Sequence, residues 1–176
     1  MAANRHAAHD AEAEPEQPDY SVLTETGLRT LEAAEELFSD FSPERGLLSD
    51  LPQITVEAAG IEQVCRLAKT DSSLDLKMLH CLSCVDYEEH FELVYFLHSL
   101  EREQTLAIKT SVPYENPVLP SVSGVWAAAE WYEREASDLF GVTFEGNPDP
   151  SPLLLYEGFG GHPGRKSYPF YEYREF

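Results

Sequence analysis

Cys81 and Cys84 stand two residues apart in the run His80-Cys81-Leu82-Ser83-Cys84, with His90 six residues further on. Two thiolates at that spacing can share one metal ion or close one disulfide, so zinc binding or thiol exchange would be centred here. A structural zinc site needs a second ligand pair, and the remaining cysteine, Cys65, stands alone. A thioredoxin-type pair follows a strand and opens a helix, whereas this one is expected to close a helix and open a strand. Packing is the simpler role, because a free Cys behaves as a small buried hydrophobe. A free-standing metal or redox module on Cys81 and Cys84 is kept as the alternative from a different functional class. Three cysteines cannot make a fully paired disulfide set, so reduced thiols are the default.

Gly158, Gly160 and Gly161 suggest a phosphate loop only on the surface. Such a loop needs a helix directly behind it, so that amides and helix dipole meet the phosphate. Here His162-Pro163-Gly164-Arg165-Lys166-Ser167-Tyr168-Pro169 follows, and two prolines flanking a glycine do not open a helix. A third cluster lies between Glu130 and Asp138. Glu130 with Arg134, and Arg134 with Asp138, are i,i+4 pairs, so one arginine could bridge two carboxylates. The plain reading is a solvated charged face; the functional one is a Glu133-Arg134-Glu135 surface that docks a partner through bidentate contacts. No Ser/His/Asp or Cys/His set for nucleophilic catalysis is visible.

The elements that must position these residues follow from periodicity. Leu28, Leu31, Phe38 and Phe41 predict an amphipathic helix from Thr24, its cap, to Phe41. Ser42 to Asp50 reads as turn, Gln53 to Val56 as a short strand, Ile61 to Ala68 as a helix and Asp75 to Cys81 as a helical turn or two. Leu82 to Tyr87 and Phe91 to Ser99 predict a hairpin across Glu88-Glu89-His90, with Thr105 to Val112 as the next strand. Pro113, Pro117 and Pro120 are expected to end regular pairing. From a Ser121 cap, Val125, Ala128, Ala129, Tyr132, Ala136, Leu139 and Phe140 fall on one helical face, with Glu130, Glu133, Arg134, Ser137 and Asp138 on the other. Gly141 sits where a helix ends, and Val142 to Phe144 reads as a short strand.

Composition bounds what this frame can serve. The 176 residues carry 32 acidic and 12 basic side chains, a net charge of -20, which excludes nucleic acid because phosphate recognition needs a positive footprint. A 43% hydrophobic share with 25% charged residues predicts one globular domain. Residues 1–19 are poor in large apolar side chains and read as a disordered acidic tail. That stretch has no apolar core of a signal peptide, and no run is long enough to span a bilayer, which predicts a cytosolic chain.

The run Ala129-Glu130-Trp131-Tyr132-Glu133-Arg134-Glu135-Ala136-Ser137-Asp138-Leu139-Phe140-Gly141-Val142-Thr143-Phe144-Glu145-Gly146 resembles the signature of the C-type subunit of respiratory NADH:quinone oxidoreductase, the 30 kDa subunit of complex I. Its E-R-E-x-x-D pattern followed by Gly is specific to that family. Val85-Asp86-Tyr87, the aromatic strand Leu93-Val94-Tyr95-Phe96-Leu97, and Gly161-His162-Pro163 with Arg165-Lys166 and Tyr168-Pro169 match further motifs in the same order. The similarity covers about Leu51 to Pro169. The chain departs from the family after Gly146: Asn147-Pro148-Asp149-Pro150-Ser151-Pro152-Leu153 replaces the usual His-Pro-Asp-Leu-Arg-Arg run, removing the histidine and both arginines. Gly164 replaces a usual leucine and Ser167 a usual acid. Such departures are compatible with a side branch, such as the equivalent subunit of an energy-converting membrane-bound hydrogenase.

The resemblance implies an α+β fold, a small mixed or antiparallel sheet flanked by helices, spanning 20–146, with an extended partner-docking tail over 147–176. It implies a non-catalytic scaffold subunit in the peripheral arm of a proton-translocating NADH or ferredoxin:quinone oxidoreductase. Iron–sulfur clusters, FMN and quinone are then expected in partner subunits and no cofactor in this chain. The implied partners are the large hydrogenase-like D-type subunit and the cluster-bearing B-type subunit, at the cytoplasmic face of the inner membrane, with membrane contact only through the complex. Glu133, Arg134, Glu135 and Asp138 on the helix, with His162, Arg165 and Lys166 in the tail, are the residues the resemblance marks for docking. The aromatics of the tail, among them Tyr156, Phe159, Tyr168, Phe170, Tyr171, Tyr173 and Phe176, are of the type that anchors interfaces.

Overall fold

A computed structural model describes residues 18–169. The expected disordered tail therefore lies almost wholly outside the described residues, as do Phe170, Tyr171, Tyr173 and Phe176. The first helix, α1 (Glu25–Leu37), starts at the predicted cap, where the Thr24 hydroxyl accepts the Gly27 N–H at 3.1 Å. Its Thr30, Leu31 and Ala34 turn inward and Phe38 closes the end fully buried. Then come β1 (Glu44–Leu48), β2 (Leu51–Thr55), α2 (Ile61–Thr70), β3 (Met78–Asp86), β4 (His90–Ser99), β5 (Gln104–Pro113), β6 (Val118–Pro120), α3 (Ala129–Phe140) and β7 (Thr143–Glu145).

Five strands form one sheet in the order β1-β2-β5-β4-β3, antiparallel throughout except where β2 runs parallel to β5. One face carries the core: Ile54, Leu79, Leu82, Phe91, Leu93, Tyr95, Leu97, Leu106, Ile108 and Val112 alternate inward and meet α1, α2 and α3. Helix α3 lies on the edge strand β3 and α1 on β2 and β5. This is the mixed, helix-flanked α+β architecture that the sequence implied.

Three local expectations are corrected. Ser42 to Asp50 is not simply a turn, because Glu44–Leu48 pairs with Leu51–Thr55 across a two-residue turn, Ser49-Asp50. Asp75 to Cys81 is not helical: from Met78 the chain is strand, locked by pairing with β4 and interrupted by a bulge between Leu79 and Cys81. The prolines do not end pairing either, since Val118–Pro120 forms a small parallel ladder with Thr143–Glu145. In each case pairing with a neighbouring strand, next in sequence for β1 and distant for β6, outweighed the local pattern.

The bulge and strand also decide the Cys-x-x-Cys pair. Cys81 lies opposite Phe96 on the helix-free face, whereas Cys84 lies opposite Leu93 on the core face beneath α3. Residues on opposite faces of one strand cannot share a tetrahedral ion. Burial pushes the Cys84 thiol up to about 12, and burial with Glu133 nearby pushes that of Cys65 higher still. Maleimide labelling of the native chain should therefore modify Cys81 first, with Cys65 and Cys84 reacting only after denaturation; rapid native labelling of all three would contradict this placement.

Candidate partner-docking site

Helix α3 starts at Ala129, eight residues later than the expected Ser121 cap, and Ala128 occupies the cap position without a side-chain bond. Ser121 has a different task. Its hydroxyl donates to Glu133 Oε2 at 2.6 Å, the Val122 N–H donates to Oε1 at 2.7 Å, and Asn147 Nδ2 donates to Oε2 at 2.8 Å. Glu133 is 0% exposed, which corrects its assignment to the polar face. Burial pushes its carboxyl above the ordinary glutamate range, and those three donors pull the other way. One buried carboxylate thus ties α3 to the end of β6 and to the loop after β7.

Arg134 does not bridge Glu130 and Asp138. Its guanidinium turns to the loop, donating from Nε to the Ser151 carbonyl at 3.0 Å and from an Nη to the Pro152 carbonyl at 2.9 Å, and it pairs with Asp149 at 3.1 Å. One helical turn on, Asp138 Oδ2 accepts the N–H groups of Leu153, Leu154 and Leu155 at 2.8, 2.7 and 3.1 Å. Burial pushes that carboxyl up, yet the three amides and Arg134 outweigh it and hold it below the ordinary aspartate range. The loop that lacks the family's histidine and arginines therefore still closes on α3. Asn147 and Ser151 supply polar atoms at the altered positions, and Asp149 supplies the countercharge.

The later motif folds back on the same helix. His162 Nδ1 lies 2.9 Å from the Asp138 carbonyl, and Arg165 Nε donates to the Phe140 carbonyl at 2.7 Å. These occupy carbonyls that the helix end leaves without intrahelical partners. The Arg165 guanidinium also covers the rings of Phe91 and Tyr114, at 5.1 and 4.8 Å from their centroids. The Lys166 N–H donates to Asp86 Oδ2 at 2.8 Å, and Asp86 Oδ1 accepts the Glu88 N–H at the hairpin turn. Gly141 ends α3 with φ of +73°, and a Cβ there would meet His162 Nε2 at 2.5 Å. The glycine is needed for both backbone and space.

Of the seven residues marked for docking, six are thus bonded within this chain, around α3 and the end of β3: Glu133, Arg134, Asp138, His162, Arg165 and Lys166. Glu135 is exposed. The geometry is that of a clamp holding residues 147–169 against a helix. Its buried carboxylates are saturated by donors, and the cleft of about 360 Å³ beside it, bordered by Arg134, Ser137, Asn147 and His162, has no carboxylate in its lining. Sequence reasoning missed Ser121 and Asn147 as partners of Glu133, and Asp86 as anchor of the tail. Only Asp86, within the matched Val85-Asp86-Tyr87 motif, carried a signal.

A chain with this α+β fold has known relatives. The chain belongs to the family described as respiratory-chain NADH dehydrogenase, 30 Kd subunit, which it matches over residues 54–174. It is 41% identical over 118 residues to the second C-type subunit of NADH-quinone oxidoreductase in Rhizobium meliloti (strain 1021), covering 65% of this chain and 64% of that protein, slightly under two thirds of the relative's length. It is 36% identical over 143 residues to the corresponding subunit of Rhizobium etli (strain CIAT 652), covering 80% and 76%. Among solved structures, it is similar to a chain of the membrane-bound sulfane sulfur reductase, an archaeal respiratory membrane complex, with a TM-score of 0.67, 28% identity and coverage of 78% and 84%. It is also similar to a trypsin-resistant fragment of Nqo5, with a TM-score of 0.58, 26% identity and coverage of 68% and 98%. No helix among the described residues is long and apolar enough to cross a membrane.

Two substitutions test the clamp. Asp138→Asn should lower unfolding free energy by about 2 kcal/mol at pH 7, since bonds to a charged acceptor are the stronger ones. An aspartate held below its unfolded value adds stability above that value and loses it as pH falls, so the deficit should shrink below about pH 4 in urea titrations. Gly141→Ala should cost about 1–3 kcal/mol and loosen the 162–165 segment, read as faster amide exchange there.

Proposed function

We propose that this chain is a non-catalytic docking subunit in the peripheral arm of a proton-translocating quinone oxidoreductase of the complex I type. It sits on the large hydrogenase-like subunit beside the cluster-bearing one, at the cytoplasmic face of the membrane, which it touches only through the complex. FMN, iron–sulfur clusters and quinone belong to the partners. The observation that carries this reading is the apolar surface the clamp presents: Trp131 is 57% exposed, Leu154 59% and Tyr156 72%. Large side chains exposed to this extent on one helix and its appended loop suit a binding surface.

The surface is also preorganised. Arg134, fixed by the loop, lies 5.2 Å from the Trp131 ring centroid, while Tyr156 packs edge-on to Phe159 and Phe159 stacks on Tyr168. Ordering these aromatics before association lowers the entropic cost of binding. Glu133, Arg134, Asp138, His162, Arg165 and Lys166 act by positioning; Glu135 lies in the exposed acidic margin. The similarity to a chain of a sulfane sulfur reductase favours, as second reading, an equivalent place in another respiratory membrane complex; within that reading, nickel-binding cysteines in the co-purified large subunit would select the hydrogenase type.

The double variant Trp131→Ala/Tyr156→Ala, expressed as the full chain, should keep its urea midpoint while co-purification with the large subunit falls by at least about tenfold, as expected for loss of aromatic anchors. Undiminished assembly and quinone reductase activity would sink the docking reading.

A further inference from the structure

The opposite face of the five-stranded sheet takes no part in the α3 docking surface. Val94 and Ala107 are buried there but stand outside the core cluster, because they point away from the helices. Register builds two rows across this face: Met78 opposite His98 opposite Thr105, and Cys81 opposite Phe96 opposite Ala107 opposite Gln53. Leu51, Met78, Phe96, His98 and Leu100 border a groove of about 480 Å³, and no carboxylate or lysine lines it. Met78 is 40% exposed and Leu100 73%, a second apolar patch distinct from the one on α3.

The rim has a sign. Asp50 in the β1–β2 turn and Glu101 and Glu103 in the β4–β5 turn are exposed beside Leu51 and Leu100 of the groove, with Arg102 exposed between the two glutamates, so that with Asp75 and Lys77 the rim holds four acids against two bases. Lys77 beside it is held by Asp75 and Glu101, each at 3.1 Å. A second copy of a chain with net charge -20 would meet its own charge here, and so would an anionic lipid surface. The backbone groups beneath the groove are paired within the sheet, so an added strand has no place on this face. The groove crosses β2, β5, β4 and β3, three strand spacings or about 14 Å. That span matches the apolar stripe of two to three helical turns.

We propose that this face receives an amphipathic helix of a partner protein, with its apolar stripe in the groove and lysines or arginines on its flanks. The subunit then has two binding surfaces, the α3 clamp and the open sheet face, and bridges two neighbours.

A photo-crosslinking residue placed at Leu100 in the full chain, within complexes isolated from native membranes, tests this. The expected product joins Leu100 to a segment with apolar residues at i, i+3 or i+4, and i+7 and basic flanks. Its yield should fall at least about fivefold in Glu101→Lys/Glu103→Lys and in Met78→Glu. Crosslinks to a second copy, to lipid or to an acidic or extended segment would overturn the proposal. So would a yield no higher than that of the same probe at Glu62, on α2, whether the chain is recovered assembled or free. An assembled complex without the crosslink refutes this proposal alone, whereas loss of assembly in the Trp131/Tyr156 variant bears on the α3 surface.

Discussion

The carboxylate of Glu133 is the constraint on which the rest of the clamp depends. A buried carboxyl is costly unless its oxygens find donors, and here three donors come from two separated pieces of chain: Ser121 and the Val122 amide before α3, and Asn147 after β7. Satisfying one side chain therefore fixes the entry to α3, the position of its axis over β3 and the departure of the loop. A helix whose cap position, Ala128, makes no side-chain bond needs such an external tie.

Once α3 is fixed, its exposed end organises the following segment by the same rule, that backbone donors and acceptors must be paired. Asp138 collects three successive amides, Arg134 collects two carbonyls and a carboxylate, and His162 and Arg165 take carbonyls at the helix end. A stretch with neither helix nor strand among the described residues is thereby held in one shape. Most of the charges that looked available for a partner are spent in making that shape, and what remains on the outside is apolar, with Glu135 and the Lys166 ammonium exposed. This division suits the docking role proposed above: polar groups preorganise within the chain, and aromatic area faces outward. The overall charge of -20 plays a secondary part, setting which surfaces repel copies of the chain.

Much of the frame was legible from local pattern. The Thr24 cap, the hairpin across Glu88 to His90, the stop at Gly141 and the short strand after it each follow from residue types that act over a few positions. The helix at Glu130 to Asp138 was legible as a helix and as a family signature. Its internal wiring was not, because i,i+4 spacing offered Arg134 two carboxylate partners while the loop offered it carbonyls and a carboxylate nearly at hand. β1 and the start of β3 escaped for the same reason, since a strand of mixed composition is defined by its neighbour and not by its own periodicity.

The sequence by itself determined the family and the α+β class, because those are written in residue types and spacings along the chain. Only the tertiary structure decided what the individual residues do: that Glu133 is buried, that Arg134 and Asp138 hold the chain's own loop, and that Cys81 and Cys84 face opposite ways. Such roles depend on which atoms lie within about 3 Å of one another. Pairings such as Ser121 with Glu133, or Asp86 with Lys166, are set by the folding of the whole sheet and helix layer, and no local spacing encodes them.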